Sequence, residues 1–151
     1  MKQLKYTLDY FKYLKNPISA LRFKFGFKKE CDIISLHIPL SDETRNLINA
    51  QRIASMKKSA IVINAARGAV ADEKALADAI KSGSIGGLGV DVYSAEPFPE
   101  SHPYTEILGY DNVIFTPHMA WGSYEARNRC VRIMAENIKA YFDGETKNRI
   151  V

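Results

Sequence analysis

Several reactive or polar side chains follow short apolar stretches of this sequence, at points where buried strands would end. They are His37 after DIISL, Asn64 and Arg67 after AIVI, Asp91 and Glu96 after IGGLGV, and His118 after NVIFT. Parallel strands of an open α/β sheet end at one common edge, where ligands bind. We therefore expect Arg67, Asp91, Glu96 and His118 to converge there.

This set of side chains is suited to reducing a 2-oxo acid. Histidine titrates near neutral pH, so His118 can act as a general acid or base, and Glu96 beside it could fix the ring tautomer. The planar guanidinium of Arg67 could bind a carboxylate and polarise an adjacent carbonyl. Protonation of that carbonyl oxygen is useful if hydride reaches the carbon, and hydride implies a nicotinamide.

Each of these residues also has an ordinary structural interpretation. Arg67 could form a surface salt bridge, Glu96 could be a solvated loop residue, and Asp91 could only cap a turn. His118, in the sequence TPH, could be purely structural. The presence of all four in this order favours a site over coincidence.

The elements that would position these residues alternate along the chain from Cys31 onward. Strands are predicted at 32–38, 60–65, 85–92 and 112–116, and helices at 49–56, 72–82 and 123–142, with Asn49, Asp72 and Ser123 as N-caps. Alternation of this kind predicts an α/β fold, a partial Rossmann-type parallel sheet of about four strands with flanking helices.

The first thirty residues differ in composition from the remainder. They carry eight of the 21 basic residues, only two of the 17 acidic ones and seven of the 16 aromatics. We predict a basic, aromatic segment over 1–30 that begins with an amphipathic helix, followed by a partial nucleotide-binding domain over 31–151.

The composition of the 151 residues is that of a globular protein, with 46% hydrophobic and 25% charged residues and a formal charge of +4. The two cysteines, Cys31 and Cys130, show no metal or redox spacing, so we expect reduced thiols, no metal site and a cytoplasmic location. No apolar run is long enough to span a bilayer, and no secretory signal is evident at the N-terminus.

Three segments resemble the D-isomer-specific 2-hydroxyacid dehydrogenase family, in the C-terminal half of its NAD-binding domain. They are CDIISLHIPLSDETRNLIN, MKKSAIVINAARGAVADEKALADAIKSGSIGGLGVDVYSAEP and NVIFTPHMAW. The resemblance covers about residues 28–151. It implies an oxidoreductase that uses NAD or NADP to reduce a 2-oxo acid, such as hydroxypyruvate or glyoxylate, to the 2-hydroxy acid.

The resemblance also implies a role for each matching residue. Arg67 would bind the substrate carboxylate and carbonyl, His118 would donate a proton to the carbonyl oxygen, and Glu96 would pair with His118. Asp91 would hold the nicotinamide carboxamide, and Arg67 and His118 would also contact the cofactor. The cofactor would also be flanked by His37 to Pro39 and Thr44, with Ala65 and Ala66 approaching through their backbone.

The segment PHMAWGSYEAR is similar to glycerate dehydrogenase or hydroxypyruvate reductase, in which Trp121 would form a wall of the substrate pocket. The alternative for Trp121 is packing beneath the last helix. That helix is expected to carry an apolar stripe of Cys130, Met134, Ile138, Tyr141 and Phe142.

The family's pyrophosphate-binding motif, G-x-G-x-x-G between a strand and a helix, has no counterpart in this sequence. The glycine-rich GSIGGLG follows a predicted helix and opens a strand, which is the wrong context. We therefore expect little or no activity from the chain as given, and whether it is an enzyme stays open.

Two alternatives to catalysis remain at this point. The chain could be a non-catalytic fragment that associates, as a homodimer or with another chain, through an unpaired sheet edge at 32–38. The basic segment 1–30 could instead bind an acidic surface, although a covering helix with a solvated basic face is favoured, so neither nucleic acid nor membrane is expected as a partner.

Overall fold

The predicted parallel sheet is present in the computed structural model, which describes residues 31–150. Its four strands lie in the order β1-β2-β3-β4, and every neighbouring pair is parallel. The strands are β1 (Ile33–Leu36), β2 (Ile61–Asn64), β3 (Gly87–Val90) and β4 (Val113–Phe115). Each is shorter than its predicted span, but all four predicted strands and the α/β fold class are confirmed.

The helices begin at the predicted caps. They are α1 (Ala50–Ile53), α2 (Glu73–Lys81) and α3 (Tyr124–Phe142). The side chains of Asn49, Asp72 and Ser123 each accept a hydrogen bond from a backbone N–H in the first turn. Two 3-10 turns, Gly68–Val70 and Pro103–Ile107, lie in segments for which neither a strand nor a helix was predicted.

One face of the sheet forms the core. Ile34 and Leu36 in β1, Val62 in β2 and Leu88 in β3 all belong to a buried cluster together with apolar residues of α1 and α2. On the opposite face, Ile61 and Ile114 are 40% and 68% exposed. The strands therefore alternate between a packed face and a more open one.

The chain divides into two compact units, the first ending at Pro117 and the second beginning at His118. The sequence analysis placed its boundary near residue 30 instead. That boundary, and the helix predicted within 1–30, concern residues outside the described part of the chain and stay predictions.

The second unit contains α3, whose predicted length is confirmed. Residues predicted to share its apolar stripe are exposed, with Met134 at 57%, Ile138 at 59% and Phe142 at 81%, and Cys130 is exposed as well. Ala140 is the buried residue of this helix. The apolar spacing thus predicted the helix correctly, and these residues of its stripe are exposed.

Candidate active site

The turn that carries Arg67 is held by a buried side chain at the end of β2. Asn64 is 1% exposed, and its amide accepts a hydrogen bond from the backbone N–H of Ala66 (3.1 Å) and donates one to the carbonyl of Arg67 (3.0 Å). Because both ends of the Asn64 amide are used, the path of the chain from Asn64 to Arg67 is fixed.

Arg67 itself is exposed at this edge of the sheet. Within residues 31–150, the one hydrogen bond from its side chain runs from Nη1 to the carbonyl of Ala66 (2.6 Å). A guanidinium has five N–H donors, so this arrangement leaves a fork that can bind a carboxylate.

Gly68 brings this turn into direct contact with the segment that follows β3. A Cβ atom built on Gly68 would lie 2.1 Å from the carbonyl carbon of Tyr93 and 2.2 Å from the nitrogen of Ser94. Only glycine permits so close an approach of two backbones. The turn bearing Arg67 and the loop bearing Glu96 therefore meet at Gly68, whereas the convergence of the two side chains stays a prediction.

Glu96 is exposed on the loop after β3. Its Oε1 accepts a hydrogen bond from the backbone N–H of Tyr93 (2.9 Å), which closes a short turn and orients the carboxylate. An exposed, oriented carboxylate at this edge is consistent with the role predicted for Glu96.

Asp91 lies at the very end of β3 and is only 5% exposed. Its Oδ1 accepts a hydrogen bond from the Thr116 hydroxyl (2.5 Å), and its backbone N–H donates to the carbonyl of Asn64 (2.9 Å). A carboxylate buried at a strand end needs polar partners. This one joins the end of β3 to the segment that follows β4.

Tyr93, two residues after Asp91, donates from its hydroxyl to the Thr116 carbonyl (2.8 Å). Burial raises the pKa of Tyr93, and the nearby carboxylates of Asp91 and Glu96 raise it further. The phenol therefore stays neutral and acts as a hydrogen-bond donor at this edge of the sheet.

The residues predicted to flank a cofactor lie in two places. Ala65 and Ala66 follow β2 directly, and His37, one residue beyond β1, is exposed with its Nε2 2.7 Å from Ser35 Oγ. Thr44 is 4% exposed, and its hydroxyl donates to the carbonyl of Pro39 (2.8 Å) and accepts from the N–H of Ser41 (2.7 Å). These hydrogen bonds of the buried Thr44 hydroxyl stabilise the loop that follows β1. A contact between Thr44 and a cofactor stays a prediction.

His118 is the first residue of the second unit and has a backbone φ of 53°. A left-handed conformation is uncommon for a residue with a side chain and costs about 1 kcal/mol or more, so it often marks a functional position. The convergence of His118 with Arg67 and Glu96 remains a prediction.

Trp121 belongs to the same turn as His118. Its indole N–H donates to the carbonyl of His118 (2.9 Å), while its side chain is 65% exposed. This exposure is not what packing beneath the last helix would produce. The bond supports the backbone of His118, which is a role that the sequence analysis did not foresee.

A polar cluster beside the Glu96 loop was not predicted from the sequence. Glu73, at the start of α2, bonds to Ser94 and to His102, and His102 is 6% exposed. These residues are separated by 21 and 29 positions, so no local pattern could reveal the contact. The only hint was an acid next to the predicted N-cap Asp72, where acids are common for another reason.

Two absences concern residues 31–150 alone. That part of the chain has no group of three or more His, Cys, Asp or Glu side chains placed to hold a metal ion. None of its helices combines the length and apolarity required to cross a bilayer.

A parallel α/β sheet with charged side chains and a glycine-dependent close approach at its carboxyl edge defines a nucleotide-binding type of domain. The sequence model described as "D-isomer specific 2-hydroxyacid dehydrogenase, NAD binding domain" matches residues 25–120. The chain therefore belongs to the D-isomer-specific 2-hydroxyacid dehydrogenase family.

Characterised relatives agree with this assignment. The chain is 44% identical over 123 residues to a glyoxylate reductase of Thermofilum pendens, covering 82% of this chain and 35% of that protein. It is 41% identical over 119 residues to a glycerate dehydrogenase of Methylorubrum extorquens, covering 79% and 38%. A crystal structure of D-lactate dehydrogenase with NAD+ from Lactobacillus jensenii superposes with a TM-score of 0.73 at 34% identity, covering 82% and 40%. The chain thus spans about two fifths or less of the length of these relatives.

Proposed function

We propose that this chain carries the substrate-binding arginine and the proton-transfer residues of a dehydrogenase that uses NAD or NADP to reduce a small 2-oxo acid. Hydroxypyruvate and glyoxylate are the substrates of choice, because relatives include glyoxylate reductases and a glycerate dehydrogenase. The observation that carries the proposal is the contact at Gly68, which joins the Arg67 turn to the Glu96 loop.

In this proposal Arg67 binds the substrate carboxylate through its guanidinium fork and polarises the neighbouring carbonyl. His118 donates a proton to the carbonyl oxygen as the carbonyl carbon is reduced, and Glu96 orients the imidazole and stabilises its charged form. Bound NADH or NADPH supplies the hydride. Loss of the proton from His118 is then reversed by uptake from solvent.

The residues at the carboxyl edge suit the nicotinamide end of such a cofactor. Asp91 offers a buried carboxylate that can accept hydrogen bonds from a carboxamide NH2 group. Ala65 and Ala66, which follow β2 directly, would approach the nicotinamide through their backbone. No residues of this chain supply the G-x-G-x-x-G turn, since GSIGGLG runs from the end of α2 into β3, with Gly83 at φ 66° ending the helix.

The test is titration calorimetry of NADH and NADPH on the purified chain, with and without hydroxypyruvate, followed by a turnover assay. Because the chain lacks the G-x-G-x-x-G turn, weak binding and only slow oxidation of the cofactor are the expected result; a Kd of about 100 μM or tighter would mean that another segment or a second copy supplies the missing contacts. The Arg67→Gln variant should raise the KM for hydroxypyruvate. The matched control is Arg149→Gln, at an exposed position in the second unit. No binding at millimolar cofactor would contradict an active site in this chain.

A non-catalytic role in association is the second candidate, and one observation favours it. Apolar side chains along one stripe of α3 are exposed, among them Val131 (65%), Ile138 (59%) and Tyr141 (67%). Exposed apolar patches of this kind commonly mark contacts with another chain. Light scattering coupled to size-exclusion chromatography decides the matter for self-association, since a monomer at high concentration excludes a stable homodimer.

A further inference from the structure

The loop between β3 and β4 is tied to the start of α2 by a single carboxylate. Glu73 Oε1 accepts a hydrogen bond from the backbone N–H of Ser94 (2.8 Å), and Oε2 accepts from the Ser94 hydroxyl. Oε2 also bonds to Nε2 of His102 (3.0 Å). The side chains of Glu73 and His102 are only 11% and 5% exposed, so the bond between them is largely shielded from water, whereas Ser94 lies at an exposed position.

The hydrogen bonds of His102 define the tautomer of its ring. Nδ1 accepts from the backbone N–H of Tyr104 (3.2 Å), so the proton of the neutral ring must reside on Nε2 and point at Glu73. Every hydrogen-bond partner of the Glu73 carboxylate within residues 31–150 is therefore a donor. An amide side chain in its place would set an N–H2 group against at least one of those donors.

The two residues that Glu73 holds lie on either side of Glu96 in the sequence. Ser94 is two residues before Glu96, and His102 is six residues after it. The N–H of Ser94 bonds to Glu73, and the preceding N–H, that of Tyr93, bonds to the carboxylate of Glu96 (2.9 Å). Two consecutive backbone amides, those of Tyr93 and Ser94, thus donate to the carboxylates of Glu96 and Glu73, so a shift of one carboxylate displaces the other.

We propose that Glu73 is a positioning residue, which acts through Ser94 and His102 to hold the loop so that the Glu96 carboxylate keeps its place at the edge of the sheet. The significance of this for proton transfer rests on the proposed function. A simpler account gives Glu73 only a favourable charge near the N-terminus of α2, which any acid could supply. If Glu73 supplies only charge, Asp can replace it. If Glu73 positions the loop, neither the shorter Asp nor the uncharged Gln can replace it.

The experiment is the amide proton chemical shift of Tyr93 in the folded protein, measured by two-dimensional NMR. Hydrogen bonding to a carboxylate sets this shift, and the shift belongs to the native state, so a loss of stability alone does not move it. Glu96→Gln defines the shift when the carboxylate is replaced. Glu73→Gln and Glu73→Asp are both expected to move the Tyr93 signal toward that of Glu96→Gln, since Asp keeps the charge but is one methylene too short.

Glu100→Gln is the matched control, because Glu100 is exposed on the same loop and forms no hydrogen bond or ion pair within residues 31–150; its Tyr93 shift should equal that of the wild type. If Glu73→Gln does not fold, Ser94→Ala takes its place. It removes one bond to Glu73 from an exposed position and should move the Tyr93 signal less, in the same direction. A Tyr93 signal that stays in place in the folded Glu73 variants, or in Ser94→Ala, overturns the proposal.

A kinetic measurement separates this inference from the proposed function. If the wild type reduces hydroxypyruvate, Glu73→Gln should lower kcat about tenfold or more while the KM for the cofactor stays the same. An unchanged kcat overturns the positioning role even though the enzyme is active. A wild type without turnover, whose Tyr93 signal nevertheless responds to Glu73→Gln, overturns the proposed function and leaves Glu73 as the residue that positions Glu96.

Discussion

Replacing Gly68 with alanine tests the contact on which the candidate site depends. The new Cβ would lie 2.1 Å from the Tyr93 carbonyl carbon, 2.2 Å from the Ser94 nitrogen and 2.5 Å from the Tyr93 oxygen. Carbon atoms in ordinary contact are about 3.5–4.0 Å apart, so the two backbones must separate by more than about 1 Å. All three obstructing atoms are backbone atoms, which have no rotamer that could relieve the overlap.

The cost has two parts that can be estimated. Overpacking a well-filled site costs about 1–3 kcal/mol, and this site lies at the upper end because neither backbone can move freely. Separation also strains the charge-assisted bond between Ser94 and Glu73, and such a bond is worth about 1.5–3 kcal/mol. We expect Gly68→Ala to lower the free energy of unfolding by about 3 kcal/mol, a large share of the roughly 5–15 kcal/mol of a typical domain.

The assay must report on the first unit. Trp121, the only tryptophan of the chain, lies in the second unit, so its fluorescence is unsuitable. Native-state hydrogen exchange of the amides of Val62 and Leu88, both buried in the sheet, measures the unfolding of the first unit directly.

Two glycines provide controls for this substitution. A Cβ at Gly109 meets nothing within 4 Å, and one at Gly89 meets only Ile63 at 3.7 Å, which is ordinary contact. Both alanine variants should remain within about 0.5 kcal/mol of the wild type. If Gly68→Ala costs less than about 1 kcal/mol, the Arg67 turn and the Glu96 loop do not approach each other as the structure describes, and the argument for a common site fails.

Three further predictions concern single residues of the two units. Asn64→Ala should lower the free energy of unfolding by about 2 kcal/mol in the same exchange assay, because it removes both hydrogen bonds of the buried Asn64 amide. An unchanged free energy of unfolding would show that the Arg67 turn keeps its conformation without Asn64. His118→Gly should be as stable as the wild type, or up to about 1 kcal/mol more stable, because glycine adopts positive φ without strain. Urea unfolding followed by Trp121 fluorescence measures this, and a decrease in the free energy of unfolding of more than about 1 kcal/mol would contradict it. Burial raises the pKa of Tyr104, and the Glu73 carboxylate adds to the effect, so its neutral form is favoured in the fold. The stability that results is complete below the ordinary tyrosine pKa of about 10 and is lost as the pH rises toward the raised value. Exchange measured from pH 9 upward should therefore show a decline in stability that is smaller in Tyr104→Phe, and equal slopes would refute this assignment.

The features that could be predicted from the sequence are those encoded locally. Asp72 and Ser123 cap helices because an acceptor side chain stands directly before a helical apolar pattern, and the bonds that they accept come from residues three positions further on. Arg67, Asp91 and Glu96 could be placed at one edge because the ends of parallel strands meet there. In these cases the physical cause lies within a few residues or in a general property of parallel sheets.

The features that were missed depend on contacts between distant segments. The requirement for glycine at position 68 comes from the backbone of Tyr93 and Ser94, 25 and 26 residues away. It depends on the distance between the two packed backbones, which the sequence does not specify. The exposure of the stripe on α3 could not be predicted either, because a 3.6-residue period tells which face of a helix is apolar and says nothing about what covers it. Binary patterning thus predicts elements, whereas a site of this kind is built from single atoms that only tertiary packing brings together.

This difference explains why the catalytic candidates could be recognised from the sequence, whereas the residue that positions Glu96 could not. Arg67, Glu96 and His118 bear functional groups whose chemistry can be inferred from residue type and order alone. Glu73 has the same functional group as Glu96, yet its place in the fold is defined by donors from Ser94 and His102 that its own neighbourhood in the sequence does not reveal. A buried carboxylate surrounded only by donors tolerates neither a shorter side chain nor an amide, so the loop that it holds should be as sensitive to Glu73 as to Glu96 itself.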